Sequence, residues 1–84
     1  MSIHFTDNAW ADFGYWLAQD SKTIKKINQL LVELNRGGRP GKAEILRGRL
    51  SGYRSVRIDE QNRLIYKLSE GVVEVYSCRG HYSK

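Results

Sequence analysis

Apolar residues recur along this chain with two different periods, and the change of period separates a helical half from a strand half. Ser2 to Phe5 is predicted to be a short strand, and apolar positions three and four residues apart then predict two helices. From Tyr53 onward the period is two, which predicts a meander of three strands: Tyr53 to Ile58, Arg63 to Leu68, and Val72 to Cys78. The predicted fold class is α+β, with two N-terminal helices packed on a twisted antiparallel sheet.

Capping residues and glycines mark where the two helices begin and end. Thr6-Asp7-Asn8 are good N-cap types for the first helix, and Asp20-Ser21 caps the second. Gly37-Gly38 ends the second helix, because glycine suits the left-handed conformation found at helix C-termini. The spacing predicts these apolar faces: Trp10, Phe13 or Gly14, and Leu17 in the first helix, and Ile24, Ile27, Leu30, Leu31 and Leu34 in the second.

The helices and the strands are joined by a glycine- and arginine-rich loop from Arg36 to Lys42, followed by Glu44-Ile45-Leu46 and a turn at Ser51-Gly52. Asp59 to Asn62 and Ser69 to Gly71 are predicted to be hairpin turns. If the helices cover one face of the sheet, the opposite face is expected to be free, concave and rich in arginine. Such a face suits a nucleic-acid site.

Length and charge restrict the class of protein. The chain has 84 residues and is predicted to form a single domain, residues 1–84. Its net charge of +5 favours a polyanionic partner, although charge alone does not separate RNA from DNA, an acidic protein or an anionic membrane. One cysteine permits no intramolecular disulfide, and we find no signal peptide and no apolar run of membrane-spanning length. We therefore expect a cytoplasmic protein with no membrane partner.

One acid lies among seven bases between residues 36 and 57. The acid is Glu44, and the bases are Arg36, Arg39, Lys42, Arg47, Arg49, Arg54 and Arg57. Near the C-terminus, His81 stands beside Tyr82. A carboxylate as base, an imidazolium as acid and arginines around the phosphate are sufficient to cleave RNA without a metal. The simpler alternatives are that Glu44 is a surface ion-pair partner and that His81 is a surface or packed residue.

Arg57 and Arg63 bracket the first predicted hairpin turn. If the connection between their strands has an odd number of residues, the two arginines face each other and can grip one phosphate together. An even number would place them on opposite faces of the sheet. The sequence leaves both registers open.

The remaining motifs do not indicate a further functional site. Cys78 and His81 form a C-x-x-H pair, but structural zinc normally takes four ligands, so we predict no metal and no other cofactor. Cys78 is expected to be a buried strand residue. The glycine-rich segment from Gly37 to Lys42 lacks the spacing of a nucleotide-binding loop. Four aromatic residues are expected in the core or on a partner surface, away from the arginines: Trp10, Phe13, Tyr15 and Trp16.

An ordered series of short segments carries a family resemblance: Trp10 through Tyr15-Trp16, Ile24-Lys25-Lys26-Ile27-Asn28, Gly41-Lys42-Ala43-Glu44-Ile45-Leu46, Leu50-Ser51-Gly52-Tyr53, Arg57-Ile58, Asn62-Arg63-Leu64-Ile65-Tyr66 and Cys78-Arg79-Gly80-His81-Tyr82. On these segments the chain resembles the YoeB/Txe toxins of bacterial toxin–antitoxin pairs, within the RelE superfamily. The resemblance covers essentially the whole chain. Gly80 departs from it, because family members often carry a bulky aromatic residue there.

The resemblance implies a microbial-ribonuclease-like fold and ribosome-dependent cleavage of mRNA in the A site. It implies that Glu44 is the general base, His81 the general acid and Arg63 the phosphate-stabilising arginine. Arg57 would support Arg63, and Tyr82 would help to shape the site. Five further basic residues would contact the RNA backbone of the message or the ribosome: Lys42, Arg47, Arg49, Arg54 and Arg79.

The resemblance also implies partners. These are the 70S ribosome with its mRNA, a YefM/Axe-like antitoxin whose acidic tail folds over the toxin, and operator DNA bound through the antitoxin complex. A homodimer stays open. Two other functions remain as alternatives: a non-enzymatic ParE-like toxin of the same fold that inhibits gyrase, and a simple RNA- or DNA-binding module that acts through its charge.

Overall fold

The computed structural model describes residues 2–80, so the candidates His81 and Tyr82 lie outside the described residues. The elements are, in order, β1 (Ser2–Phe5), α1 (Asp7–Gln19), α2 (Ser21–Asn35), β2 (Glu44–Ile45), a 3-10 turn (Gly48–Leu50), β3 (Arg54–Arg57), β4 (Arg63–Ser69) and β5 (Val72–Ser77). All follow the order predicted from the sequence except β2 and the 3-10 turn, which the sequence does not predict. Neither α1 nor α2 combines the length and the apolar character that crossing a bilayer requires.

The five strands form one sheet in the order β1-β5-β4-β3-β2. Strands β3, β4 and β5 pair antiparallel, as the predicted meander requires; β2 adds a further antiparallel strand beside β3, and β1 pairs parallel with β5. The predicted α+β fold of two helices on a sheet is therefore confirmed, and the sheet is mixed rather than wholly antiparallel. The parallel edge arises because a long connection that includes both helices separates β1 from β5.

Polar caps fix both helices where the sequence predicts. The Thr6 hydroxyl accepts a hydrogen bond from the backbone N–H of Ala9 at 3.1 Å and donates one to the carbonyl oxygen of Tyr76 at 2.9 Å, which joins the start of α1 to β5. The Asp20 carboxylate caps α2. The Thr23 hydroxyl, with the backbone N–H groups of Thr23 and Lys22, lowers the pKa of Asp20 below its ordinary value.

The apolar face predicted for α2 is confirmed, whereas the face predicted for α1 is wrong for Trp10 and Leu17 and right for Phe13, which is half-buried against the core. In α2, Ile27, Leu30, Leu31 and Leu34 are buried and Ile24 is half-buried. In α1, Trp10 is 63% exposed and Leu17 is 62% exposed, and the buried residues are Ala9 and Trp16. The indole Nε1 of Trp16 donates to the carbonyl oxygen of Cys78 at 2.8 Å, and this tertiary contact helps to direct the other side of α1 inward.

The two faces of the sheet differ in chemistry. The side that packs on the helices is apolar and contributes Val56, Leu64, Tyr66, Val73 and Val75 to the main core. The opposite side, here called the open face, carries Ser55, Arg57, Arg63 and Ile65, which alternate with the core residues along β3 and β4. The open face is concave and lined by arginines as expected, but it is not bare, because Leu46 and Ile65 are buried there.

Cys78 is fully buried just after β5, as predicted for this residue. Its Sγ lies 3.8 Å from the carbonyl oxygen of Ala9. Burial, with a smaller effect of the nearby Asp12 carboxylate, raises the pKa of the Cys78 thiol from 9.0 to about 12. The thiol is therefore a core group that resists ionisation.

This raised pKa predicts a specific loss of stability in alkali. Between pH 9 and about 12 the unfolded chain releases the Cys78 proton while the folded chain retains it. The free energy of unfolding should therefore fall as pH rises, by up to about 1.4 kcal/mol per pH unit from this group. The Cys78→Ser variant lacks this titration and keeps a small side chain beside Ala9.

Urea unfolding at about pH 8 and about pH 10.5 measures the effect. We expect the wild type to lose more stability across this interval than Cys78→Ser does, because every other titrating group is common to both. Equal losses in the two proteins would contradict the buried, protonated thiol.

Candidate active site

The register of the β3–β4 hairpin places Arg57 directly opposite Arg63. The odd-length connection of residues 58–62 gives this register, so the two arginines share the open face. The Asp59 carboxylate shapes the turn, since its Oδ1 accepts from the backbone N–H groups of Gln61 and Asn62, each at 2.8 Å. Burial would raise the pKa of Asp59, but these hydrogen bonds and the charge of Arg57 together lower it.

Arg63 is held by contacts on two strands. Its Nε donates to the Ser55 hydroxyl, and its Nη2 donates to the Ser55 carbonyl oxygen at 3.3 Å. The same Nη2 lies 2.7 Å from Oε1 of Glu44 in β2. Ser55 is 1% exposed, whereas the Glu44 side chain is 69% exposed. The arrangement fixes the guanidinium and leaves the carboxylate accessible to a ligand.

Arg57 contrasts with Arg63. It is exposed, and within residues 2–80 it makes no ion pair closer than 4.0 Å. Two guanidiniums directly across a strand pair repel each other, and Glu44 offsets this repulsion at Arg63 alone. A phosphate bound at this position would be attracted by both arginines and would relieve the repulsion.

Two hollows of different chemistry adjoin at Glu44, and of the described residues only Glu44 lines both. The smaller one also reaches the helix-facing side of the sheet, because Leu30 and Val56 line it. The smaller, here called the cationic hollow, has a volume of about 550 Å³ and includes Lys26, Lys42, Arg57 and Arg63. The larger, here called the tyrosine hollow, has a volume of about 990 Å³. Its lining includes Tyr53, Tyr76, Arg47, Arg49 and Arg79.

The basic residues predicted to contact RNA are thus divided among three places. Lys42 lies in the cationic hollow, and Arg47, Arg49 and Arg79 line the tyrosine hollow. Arg54 differs, because it is paired with Tyr66 and lies on the helix-facing side of the sheet, where it hydrogen-bonds the Tyr66 hydroxyl. The fold therefore does not bring Arg54 to the surface that carries Glu44.

Arg79 packs on an aromatic residue of α1. Its guanidinium carbon lies 3.6 Å from the centroid of the Tyr15 ring, a cation–π contact. The expectation that the α1 aromatic residues lie away from the arginines is therefore wrong for Tyr15. The contact arises because α1 packs against β5, which brings Tyr15 to the segment that follows this strand.

The chain from Cys78 to Gly80 is anchored on both sides. Trp16 holds the carbonyl oxygen of Cys78, and the Asp12 carboxylate accepts from its N–H at 3.0 Å. At the other end, Asn62 Oδ1 accepts from the Gly80 N–H at 2.8 Å, and the Gly80 carbonyl oxygen accepts from the Arg63 N–H at 3.0 Å. Gly80 has φ of +86°, a conformation that favours glycine. The last described residue thus lies beside Arg63.

The sequence does not indicate the place of several residues at this surface. Ser55 carries no motif, and its contact with Arg63 follows only from the strand register. Lys26 lies outside the apolar face predicted for α2, and the spacing gives no sign that it reaches the hollow of Arg57. Tyr53 and Tyr76 could have been noticed as aromatic residues in the basic half of the chain. Among residues 2–80, no three His, Cys, Asp or Glu side chains are grouped so as to hold a metal ion.

Comparison with known proteins gives a consistent family match. The model of the YoeB-like toxin of bacterial type II toxin–antitoxin systems matches residues 5–82. The Toxin YoeB of Mycobacterium bovis is 43% identical over 83 residues, which cover 96% of this chain and 98% of that protein. The similarity therefore extends over nearly the whole length of both chains.

Solved structures show the same similarity in three dimensions. The YoeB dimer from Staphylococcus aureus superposes with a TM-score of 0.88 at 38% identity, covering 98% of each chain. The toxin in the heterotetrameric YoeB–YefM toxin–antitoxin complex from the same organism superposes with a TM-score of 0.86 at 38% identity, covering 95% of each chain. The fold is therefore that of these toxins.

The anchoring of Gly80 can be tested by substitution of Asn62. Asn62→Ala removes the oxygen that accepts from the Gly80 N–H, a hydrogen bond whose loss we expect to speed amide exchange at Gly80 by about 5-fold. The matched control is Gln61→Ala, since the Gln61 side chain is exposed and only its backbone N–H contacts Asp59. Amide exchange followed by NMR measures both; an unchanged Gly80 rate in Asn62→Ala would show that the anchor lies elsewhere.

Proposed function

We propose that this chain, which belongs to the YoeB-like toxins of bacterial type II toxin–antitoxin systems, is a metal-independent endoribonuclease that cleaves mRNA in the ribosomal A site. The observation that carries the proposal is the Glu44–Arg63 ion pair beside Arg57. It combines an accessible carboxylate with two guanidiniums, which are groups that this chemistry needs. The reaction would block translation.

In the proposed reaction Glu44 takes the proton from a ribose 2′-hydroxyl. The 2′-oxygen then attacks the adjacent phosphorus, and the bond from phosphorus to the 5′-oxygen of the next nucleotide breaks. His81 donates a proton to that leaving oxygen. The products are a 2′,3′-cyclic phosphate and a 5′-hydroxyl end. The exposure of the Glu44 side chain supports its role, because a substrate hydroxyl can reach it.

Arg63 and Arg57 are proposed to stabilise the charge that builds up on the phosphate oxygens. Donors that are already positioned at the developing charge contribute most, because they need no reorganisation during the reaction. The contacts of Arg63 with Ser55 support such positioning. Arg57, which is exposed and opposite Arg63, is proposed to bind the same phosphate from the other strand.

His81 as the general acid and Tyr82 as a shaping residue remain proposals from the family resemblance. The anchoring of Gly80 beside Arg63 supports them, because consecutive Cα atoms lie about 3.8 Å apart. His81 thus follows directly after a residue that is bound to the strand of the phosphate-binding arginine.

The remaining basic residues are proposed to bind RNA backbone. Lys42, Arg47, Arg49 and Arg79 lie in the two hollows that adjoin Glu44, which supports contacts with the mRNA. Arg54 lies on the other side of the sheet and is proposed to contact ribosomal RNA. The net charge of +5 supports this binding through attraction to phosphate.

Protein partners are proposed from the relatives. The staphylococcal YoeB forms a complex with YefM and is also a dimer, so we propose a YefM/Axe-like antitoxin partner and a homodimer for this chain. Operator DNA would be bound through the antitoxin complex. The positive charge supports binding of an acidic antitoxin segment, and the exposed Trp10 and Leu17 supply apolar surface for a protein partner.

Mapping of 5′ ends on a reporter mRNA in a translating extract tests the proposed function. We expect wild type to cut within A-site codons, and Glu44→Gln and His81→Ala each to lower the cleavage rate at least about 100-fold, because each removes a proton-transfer group. Glu70→Gln is the matched control, since Glu70 is an exposed acid in the distant β4–β5 turn.

Three outcomes would contradict the proposal in different ways. Cuts that persist in both variants would keep the substrate and discard the acid–base roles. Intact mRNA together with inhibited gyrase supercoiling would favour the ParE-like alternative. Salt-sensitive RNA binding without cleavage on translating ribosomes would favour a simple binding module.

A further inference from the structure

The tyrosine hollow is not explained by the proposed proton transfers. Glu44 lines both this hollow and the cationic hollow, where Arg57 and Arg63 suit a phosphate. A nucleotide consists of a phosphate and a base joined through a ribose, and the ribose carries the hydroxyl that Glu44 would deprotonate. With the phosphate in the cationic hollow and the ribose beside Glu44, the adjoining tyrosine hollow is the space that is left for the base.

Two tyrosines form an aromatic surface within this hollow. The rings of Tyr53 and Tyr76 are 5.4 Å apart between centroids, with an angle of 60° between their planes. Lys67 Nζ lies 5.6 Å from the centroid of the Tyr53 ring. Burial, and then the nearby Glu74 carboxylate, raise the pKa of the Tyr53 hydroxyl. Tyr53 is therefore held by its neighbours, whereas Tyr76 is 39% exposed and offers ring surface to a ligand.

Tyr76 owes its position to an irregularity in the sheet. Ile65 is paired with Ser77 and Tyr66 with Val75, so Tyr76 has no partner of its own on β4. Extra residues of this kind redirect side chains, and they recur beside functional sites. The carbonyl oxygen of Tyr76 accepts from the Thr6 hydroxyl at 2.9 Å and from Asn8 Nδ2 at 3.5 Å. The start of α1 thus fixes the backbone from which the ring extends.

The charges around the tyrosines fit a nucleotide rather than an uncharged ligand. Arg79 lines the hollow while its guanidinium is held against Tyr15, and Arg47 and Arg49 also line it. Aromatic rings with arginines at their edge are the recurrent way in which proteins bind the bases and backbone of single-stranded RNA. Such stacking accepts any base, because each base has a flat π-surface.

We propose that the tyrosine hollow is a nucleobase subsite, in which Tyr76, supported by Tyr53, stacks on the base next to the cleaved phosphate. The proposal rests on the proposed nuclease function for the identity of its ligand. It adds a contact between Tyr76 and a substrate base, and the evidence for this contact is the position of Tyr76 beside Tyr53 in a hollow that Glu44 also lines. In this arrangement the base and the phosphate are bound on either side of Glu44, so that the ribose between them is presented to the carboxylate.

NMR titration of the full chain with adenosine 3′-monophosphate tests the subsite without requiring cleavage, because its phosphate occupies the position that the 2′-oxygen attacks. We expect the ring signals of Tyr76 and Tyr53 to shift, and the adenine protons to move upfield because they lie against a ring. Ribose 3-phosphate has the same sugar and phosphate without the base, so it should leave the tyrosine signals in place. Tyr76→Leu should weaken the affinity for adenosine monophosphate by about 5- to 100-fold.

Matched variants separate stacking from a general disturbance of the fold. Tyr76→Phe and Tyr76→Trp keep an aromatic ring and should bind as well as wild type or better. Trp10→Leu removes an exposed aromatic residue that does not line either hollow, and it should leave the affinity unchanged. Equal affinity in Tyr76→Leu and wild type would overturn the subsite, as would tyrosine shifts of equal size with the nucleotide and with ribose 3-phosphate.

The titration also distinguishes this proposal from failure of the nuclease function. If the nucleotide binds at Tyr76 but no mRNA is cut, the subsite stands and the nuclease is wrong. If Glu44 is required for cleavage but the nucleotide leaves the tyrosines unmoved, the nuclease stands and the subsite is wrong. If only an acidic peptide shifts the Tyr76 ring, the hollow binds protein and the nucleobase proposal is overturned.

Discussion

The register of the β3–β4 hairpin is the constraint on which the site depends. Side chains alternate between the two faces of a strand. A shift of the β3–β4 pairing by one residue would therefore move an arginine to the helix-facing side and separate Arg63 from its contacts. Asp59 holds the turn in the register that is observed, through hydrogen bonds to the two N–H groups that follow it. The same register buries Val56 and Leu64 in the core. Core packing and the position of the arginines are therefore set together.

The helices support the site through the segment that ends at Gly80. Trp16 and Asp12 of α1 bind the backbone of Cys78, and Asn62 and Arg63 bind the backbone of Gly80. Burial of the α1 side that carries Trp16 is therefore linked to the backbone beside Arg63 at the start of β4. The exposed side of α1 carries Trp10 and Leu17, which the spacing of apolar residues places in the core.

The sequence predicts most of the elements, because the face of α2 and the alternation in β3 to β5 are local patterns. It does not predict the inward side of α1, since Ala9 is small and the bond from Trp16 to Cys78 joins residues 62 positions apart. It leaves the alignment of Arg57 with Arg63 open, because one residue more or less in the turn reverses it. The roles of Glu44 and His81 come from the family resemblance, and the partners Ser55 and Tyr76 are visible only in three dimensions.

The central claim is that a 2′-hydroxyl beside Glu44 is the nucleophile. The most direct measurement uses an mRNA with a single 2′-deoxynucleotide at the mapped cleavage position, presented to the wild-type protein on ribosomes. We expect cleavage at that phosphate to disappear, while the same substitution at the neighbouring nucleotide leaves it intact. Cleavage at an unchanged rate next to the 2′-deoxynucleotide would contradict the claim, because no 2′-oxygen would be present to attack.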